Sequence, residues 1–323
     1  MQELFSPLAE LLSASQALWV GLVFVFSLLV GSFLNVVIHR VPIMLQREWR
    51  AQAEEILADS EPRTADGGRI EEKKQRDLAA ASSPQPPAKY NLVVPRSACP
   101  HCGAQITAWQ NIPVISYLFL KGKCANCGAK ISPRYPIVEL ITAILSAAVA
   151  WKFGVTWYTW AALVLTWILI ALTFIDFDTQ LLPDNMTLPL MWLGLLISLA
   201  ATIPEIGLPV DTRSSILGAV AGYLSLWSVY HLFKLITGKE GMGYGDFKLF
   251  AALGAWLGWQ MLPLIILLSA FTGAVVGITL IIARGRDKNI PIPFGPYLAA
   301  AGWIALMWGD SLVSTYLQAS GIG

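Results

Sequence analysis

Eight long apolar runs punctuate the chain, at residues 17–38, 136–151, 157–175, 186–203, 214–236, 247–262, 264–283 and 296–315. A helix of about 20 residues crosses a hydrocarbon core of about 30 Å, and a backbone facing lipid must satisfy its own hydrogen bonds. Runs of this kind leave few folds open. The expectation is an all-α polytopic membrane protein with about eight transmembrane helices and the lipid bilayer as its surroundings. Only 13% of residues are charged and mean hydropathy is +0.59, against about 25% charged in ordinary soluble domains. Residues 1–18 hold no Lys or Arg, so the first run lacks the basic region of a signal peptide and reads as a retained helix.

Charge placement sets an expected topology. Of the 22 Lys and Arg, fourteen lie between residues 39 and 135, and such residues concentrate on the cytoplasmic side of membrane proteins. Alternating through the runs from that side, Lys234, Lys239, Lys248, Arg284, Arg286 and Lys288 also fall inside, and only Lys152 and Arg213 fall outside. Both termini are expected outside. A net charge of +1 suggests no nucleic-acid partner.

Three regions follow: a first transmembrane helix at 1–38, a cytoplasmic insert at 39–135, and a seven-helix membrane domain at 136–323. Within the insert, residues 44–58 carry apolar positions at helical spacing and predict a short amphipathic helix. Residues 59–89, rich in charge, Ala, Ser and Pro, read as a disordered linker. Beyond it, CPHC and CANC use all four cysteines, Cys99, Cys102, Cys124 and Cys127, with 21 residues between the pairs. This spacing fits a tetrahedral zinc site. Gly103 and Gly128 follow the pairs and permit the tight turns that such a site needs. Two disulfides or redox thiols are the alternative, which a reducing cytoplasm disfavours. Four thiolates leave no open position for a substrate, so the metal is expected to be structural. His101 reads as a surface residue, and His39 and His231 have no visible partner.

Two aspartates stand at the ends of apolar runs, Asp176 in FIDFDTQLLPD (174–184) and Asp246 in GMGYGDFK (241–248). Ionisable groups there are functional candidates, and the topology puts both on the cytoplasmic face. Two carboxyls at close range share a proton, which suits them to activate water against a peptide bond. Asp178 and Asp184 compete with Asp176; the first is expected out of the helix and toward water, the second as the N-cap of the next helix. Glu139 suits a helix N-terminus, with contact to a basic peptide as its second reading. Lys248 either tunes Asp246 or extends to the interface.

Together with the cysteine pairs, GSFLNVVIHRVP (31–42), NLVVPRSACPHC (91–102), NIPVISYLFLKGKC (111–124), SPRYPIVELITA (132–143), LLPDNMTLPLMWLGLL (181–196) and PIPFGPYLAAAGW (291–303) closely resemble the type IV prepilin peptidases. These are inner-membrane aspartic proteases of the G-x-G-D class. The resemblance covers nearly the whole chain except residues 50–89. It implies removal of the basic leader from prepilins and pseudopilins after a Gly on the cytoplasmic side, with Asp176 and Asp246 catalytic. It also implies N-methylation of the new N-terminal residue with S-adenosylmethionine. No methyl-donor fingerprint is visible, so that second activity rests on the resemblance alone. Two other classes remain in play: a transporter using the acids as proton carriers, and a zinc-bearing scaffold whose aspartates are caps.

Overall fold

In the computed structural model, residues 15–60, 90–200, 210–284 and 292–321 are described. Among them the chain is helical, with two isolated β-bridges in place of any strand. The longer helices are α1 (Gln16–Ser60), α2 (Arg134–Phe153), α3 (Trp157–Thr179), α4 (Asp184–Leu199), α5 (Thr212–Thr237), α6 (Tyr244–Leu257), α7 (Leu262–Arg284) and α8 (Gly295–Ala319). Each expected run begins on one of them, although the run at 247–262 passes beyond α6 through a 3-10 turn (Trp259–Met261) to the start of α7, and residues 201–203 of the run at 186–203 lie outside the described residues. Five, namely α1, α2, α3, α5 and the stretch through α7, are long and apolar enough to cross a membrane; α4 is a shorter apolar helix.

One boundary differs from the sequence reading. The first helix does not stop near residue 38 but continues through Pro42 to Ser60. The helix expected at 44–58 is therefore present but not separate. Proline inside a helix removes one backbone donor and crowds the carbonyl four residues back. Packing holds the segment together on both sides of it. Val37, Ile38 and Val41 are buried in a cluster shared with Val138 of α2 and Ile170, Ala171 and Ile175 of α3, and Leu45 and Leu92 pack against it. Buried Arg40 donates to the carbonyls of Asn91 and Pro95 at 2.8 and 2.6 Å, tying the returning chain to α1. Of the expected linker at 59–89, residues 61–89 lie outside the described residues.

A second, larger cluster joins α3, α6 and α8 through Leu165, Leu169, Leu172, Phe250, Leu253 and Leu298. Small residues bring α5 and α6 together. A Cβ on Gly222 would stand 2.7 Å from the Phe250 carbonyl oxygen, and Gly218 and Gly254 meet backbone to backbone. Gly218 and Gly222 are four apart and share a face, the small-xxx-small pattern that lets membrane helices approach closely. Asp211 caps α5 by accepting from the Arg213 and Ser214 amides. This packing fixes the start of α6, where the second aspartate motif lies.

Candidate active site

The stripe Leu165, Leu169, Leu172, Asp176 runs along α3 at spacings of four, three and four, all of it buried. Asp176 is thus a core-face position, 5% exposed. Three residues later the helix ends, and Gln180 enters the left-handed region (φ 54°, ψ 35°) to return its N–H to the Asp176 carbonyl at 2.9 Å. Leu181, Leu182 and Pro183 then turn the chain into α4.

Asp246 is the third residue of α6, whose N-cap is Gly243. It is 7% exposed. From that position its carboxylate reaches back to accept from the Gly243 N–H, as the acidic member of a capping box does. Asp176 accepts from the N–H of Gly295, the first residue of α8. Each carboxyl is therefore held by a free amide at a helix N-terminus, where negative charge is favoured.

Leu182 lies between the two motifs, approached by Gly245 beside Asp246 and by Gly295 beside Asp176. Asp246 Oδ1 is buried without a hydrogen-bond partner among the described residues. Two glycines make the approach possible. A Cβ on Gly245 would lie 2.6 Å from Leu182 Cβ, and one on Gly295 would lie 2.6 Å from Asp176 Oδ2. Sequence reasoning misses Gly295; its one signal is the Gly-Pro pair opening an apolar run.

The neighbouring acids have other partners. Asp178 lies in the last turn of α3 and not beyond it, and receives both Arg134 nitrogens at 2.7 and 2.6 Å, joining the end of α3 to the start of α2. Asp184 is not the N-cap of α4. Pro183 holds that place without a side-chain bond, and Asp184, one residue on, takes Lys248 Nζ at 2.6 Å on both oxygens. Lys248 is thereby engaged by Asp184. A prolyl residue cannot offer a side-chain acceptor, so the first-turn acid is free to reach across to α6. Glu139 is buried in α2 and accepts from the Val114 N–H at 2.8 Å.

The four cysteines form two matching knuckles. Gly103 N–H returns to the Cys99 carbonyl and Gly128 N–H to that of Cys124, each at 2.9 Å; Cys99 and Cys124 in turn donate to Ala104 and Ala129. Both glycines take φ +70°. The sulfurs lie within 4.8 Å of one another, with Cys99 and Cys127 3.9 Å apart. A tetrahedron of thiolates about zinc has edges of about 3.8 Å at a Zn–S length of about 2.3 Å. The cluster can hold a metal ion of that kind. The Cys102 thiol is pulled down to about 6 by the Ala104 backbone N–H and then by the Asn126 side chain, while burial and the neighbouring cysteines push the Cys127 thiol up to about 11 against the Ala129 backbone N–H.

Comparisons with known proteins place the chain in a family. Residues 25–153 match the model of the bacterial peptidase A24 N-terminal domain, and residues 163–278 that of the type IV leader peptidase family. The chain is 54% identical to a prepilin leader peptidase/N-methyltransferase of Aeromonas salmonicida, over 96% of this chain and 98% of that one. Its identity to the protein of that name from Pseudomonas aeruginosa is 53%, over 98% and 99%. For Neisseria gonorrhoeae it is 49%, over 91% and 92%. No solved structure matches. Peptidase motifs, helical architecture and full-length similarity converge on one statement: the chain belongs to the type IV leader peptidase family.

Proposed function

We propose that the protein is a membrane aspartic endopeptidase that removes the basic leader from type IV prepilins and pseudopilins after a Gly, with Asp176 and Asp246 as its catalytic pair. One observation carries this reading: two buried carboxyls, one at the end of α3 and one in the first turn of α6, are gathered around Leu182 by the close approach of Gly245 and Gly295. Two such groups cannot both stay ionised at close range, so the pair holds one proton. The ionised carboxylate takes a proton from water as the water oxygen attacks the scissile carbonyl carbon. The protonated carboxyl donates to the carbonyl oxygen. Collapse of the tetrahedral intermediate breaks the C–N bond, and the proton taken from water passes to the leaving amine.

All eight helices cross the bilayer on this reading. They place the α3 C-terminus and the α6 and α8 N-termini on the cytoplasmic face of a bacterial inner membrane, with residues 39–135 as the cytoplasmic insert. The cysteine cluster takes zinc through Cys99, Cys102, Cys124 and Cys127, in a structural role. The relatives' shared name includes an N-methyltransferase. The same chain then methylates the amine released by cleavage, with S-adenosylmethionine as co-substrate; the amine nitrogen takes the methyl from sulfonium and loses a proton. Incubation of the purified protein with a prepilin should yield the shortened pilin. An unchanged prepilin under conditions in which a relative cleaves it would refute the peptidase assignment.

A further inference from the structure

The insert carries an apolar surface that neither the aspartates nor the cysteines use. Residues Trp109–Asn111 form a 3-10 turn and Ile115–Phe119 a single helical turn. Between them they leave Trp109 81%, Leu118 67% and Phe119 83% exposed. A hydrophilic insert has no evident use for three large apolar side chains on one short segment.

Two contacts fix the height of that segment. Ser32 Oγ donates to Asn111 Oδ1 at 3.5 Å, and the Val114 N–H reaches Glu139 at 2.8 Å. Ser32 lies eight residues toward the apolar end of α1 from Arg40, about 12 Å at 1.5 Å per residue. Glu139 lies five residues inward from Arg134, about 7.5 Å by the same rise. Arg40 anchors the 91–95 loop, and Arg134 with Asp178 belongs to the charged edge of the helix bundle. The chain therefore passes that edge and descends along α1 and α2 before it turns.

Irregular backbone at such a depth needs its polar groups satisfied by protein. Here they are. The segment turns at Val114, whose φ of +57° and ψ of −50° a β-branched residue seldom adopts. The Ile115 N–H closes on the Pro113 carbonyl, the Val114 N–H goes to buried Glu139, and the Ser116 hydroxyl donates to the Gln110 carbonyl. Exposed Lys121 and Lys123 follow directly, placed to meet anionic headgroups, while tryptophan favours the membrane interface.

We propose that residues 109–119 form a re-entrant wedge that seats the insert in the bilayer, with phospholipid covering Trp109, Leu118 and Phe119. Glu139 is the internal acceptor that makes the turn tolerable at that depth. The wedge ends shortly before Cys124, so it also sets the height of the cysteine cluster over the membrane. The inference does not depend on the role of the aspartates.

The test is photocrosslinking of the full chain in vesicles of phosphatidylethanolamine and phosphatidylglycerol, with benzoylphenylalanine in place of Phe119. A parallel protein carries the same group in place of Ala53, exposed on α1 well beyond Arg40. Irradiation should attach phospholipid at 119, seen as the mass of one lipid on the peptide, and not at 53. No lipid adduct at 119, equal adducts at both positions, or attachment at 119 to a second copy of the chain or to an added prepilin would each overturn the proposal.

Discussion

Gly295 presses its Cα against Asp176 so closely that a Cβ would lie 2.6 Å from the carboxylate Oδ2, while the Gly295 N–H donates to that same carboxylate. Contact and hydrogen bond together leave the acid one position. In Gly295→Ala the added methyl must displace the Asp176 carboxyl from this position. Prepilin cleavage should fall about 10²-fold, the scale expected of a catalytic group displaced by an ångström, with the helix content by circular dichroism retained. Unaltered cleavage would show that the contact does not position the acid.

The acids on either side of Asp176 should behave as structural partners. The Arg134–Asp178 and Asp184–Lys248 pairs are partly exposed, so each contributes at most about 1 kcal/mol. Asp178→Asn and Lys248→Met are expected to cleave prepilin at rates within about tenfold of the unaltered protein, since 1.4 kcal/mol corresponds to tenfold. Because Lys248 is held by Asp184, the Lys248→Met pH profile should keep its midpoints. A displaced midpoint would mean that Lys248 acts on Asp246 after all.

The meeting of Gly218 with Gly254 should be intolerant of side chains. Gly218→Val has no space on the α6 side, and overpacking of this kind costs about 1–3 kcal/mol or more. The variant should melt at a lower temperature in detergent and lose cleavage with it, because α5 sets the position of α6 and hence of Asp246. Thermal denaturation of the variant beside Gly21→Ala, where a Cβ meets nothing within 4 Å, provides the control.

Metal content tests the cysteine cluster separately. Cys102→Ser should abolish stoichiometric zinc, because binding by four thiolates is what folds knuckles of this size, at about 10–16 kcal/mol in isolated zinc fingers. The larger helix core includes none of the four cysteines, so helix content should persist. Full zinc occupancy in the variant, measured by atomic emission, would remove the cluster from the account.

Much of the site is legible in residue spacing. The position of Asp176 on a stripe with Leu165, Leu169 and Leu172 is a matter of helical period, and the two knuckles follow from C-x₂-C and the glycines after each pair. The long helix through Pro42 is not legible, because a local rule favours a break there and only packing by Val37, Val41 and Leu92 overrides it. Partners 44 and 64 residues apart, such as Arg134 with Asp178 and Asp184 with Lys248, leave no local trace. The expectation of Asp184 as a cap rests on its place beside Pro183; the fold shifts the cap by one residue and gives the acid a partner on another helix.

The most direct test of the central claim is prepilin cleavage by Asp176→Asn and Asp246→Asn, compared with Asp178→Asn in the same membranes. Asparagine keeps the size and the accepting oxygen of each side chain but cannot exchange a proton. Each of the first two should lose at least about 10²–10⁴-fold in rate, the range for removing a general acid or base, while zinc content and helicity stay at the level of the unaltered protein. Cleavage by either variant at the rate of Asp178→Asn would contradict the aspartate pair.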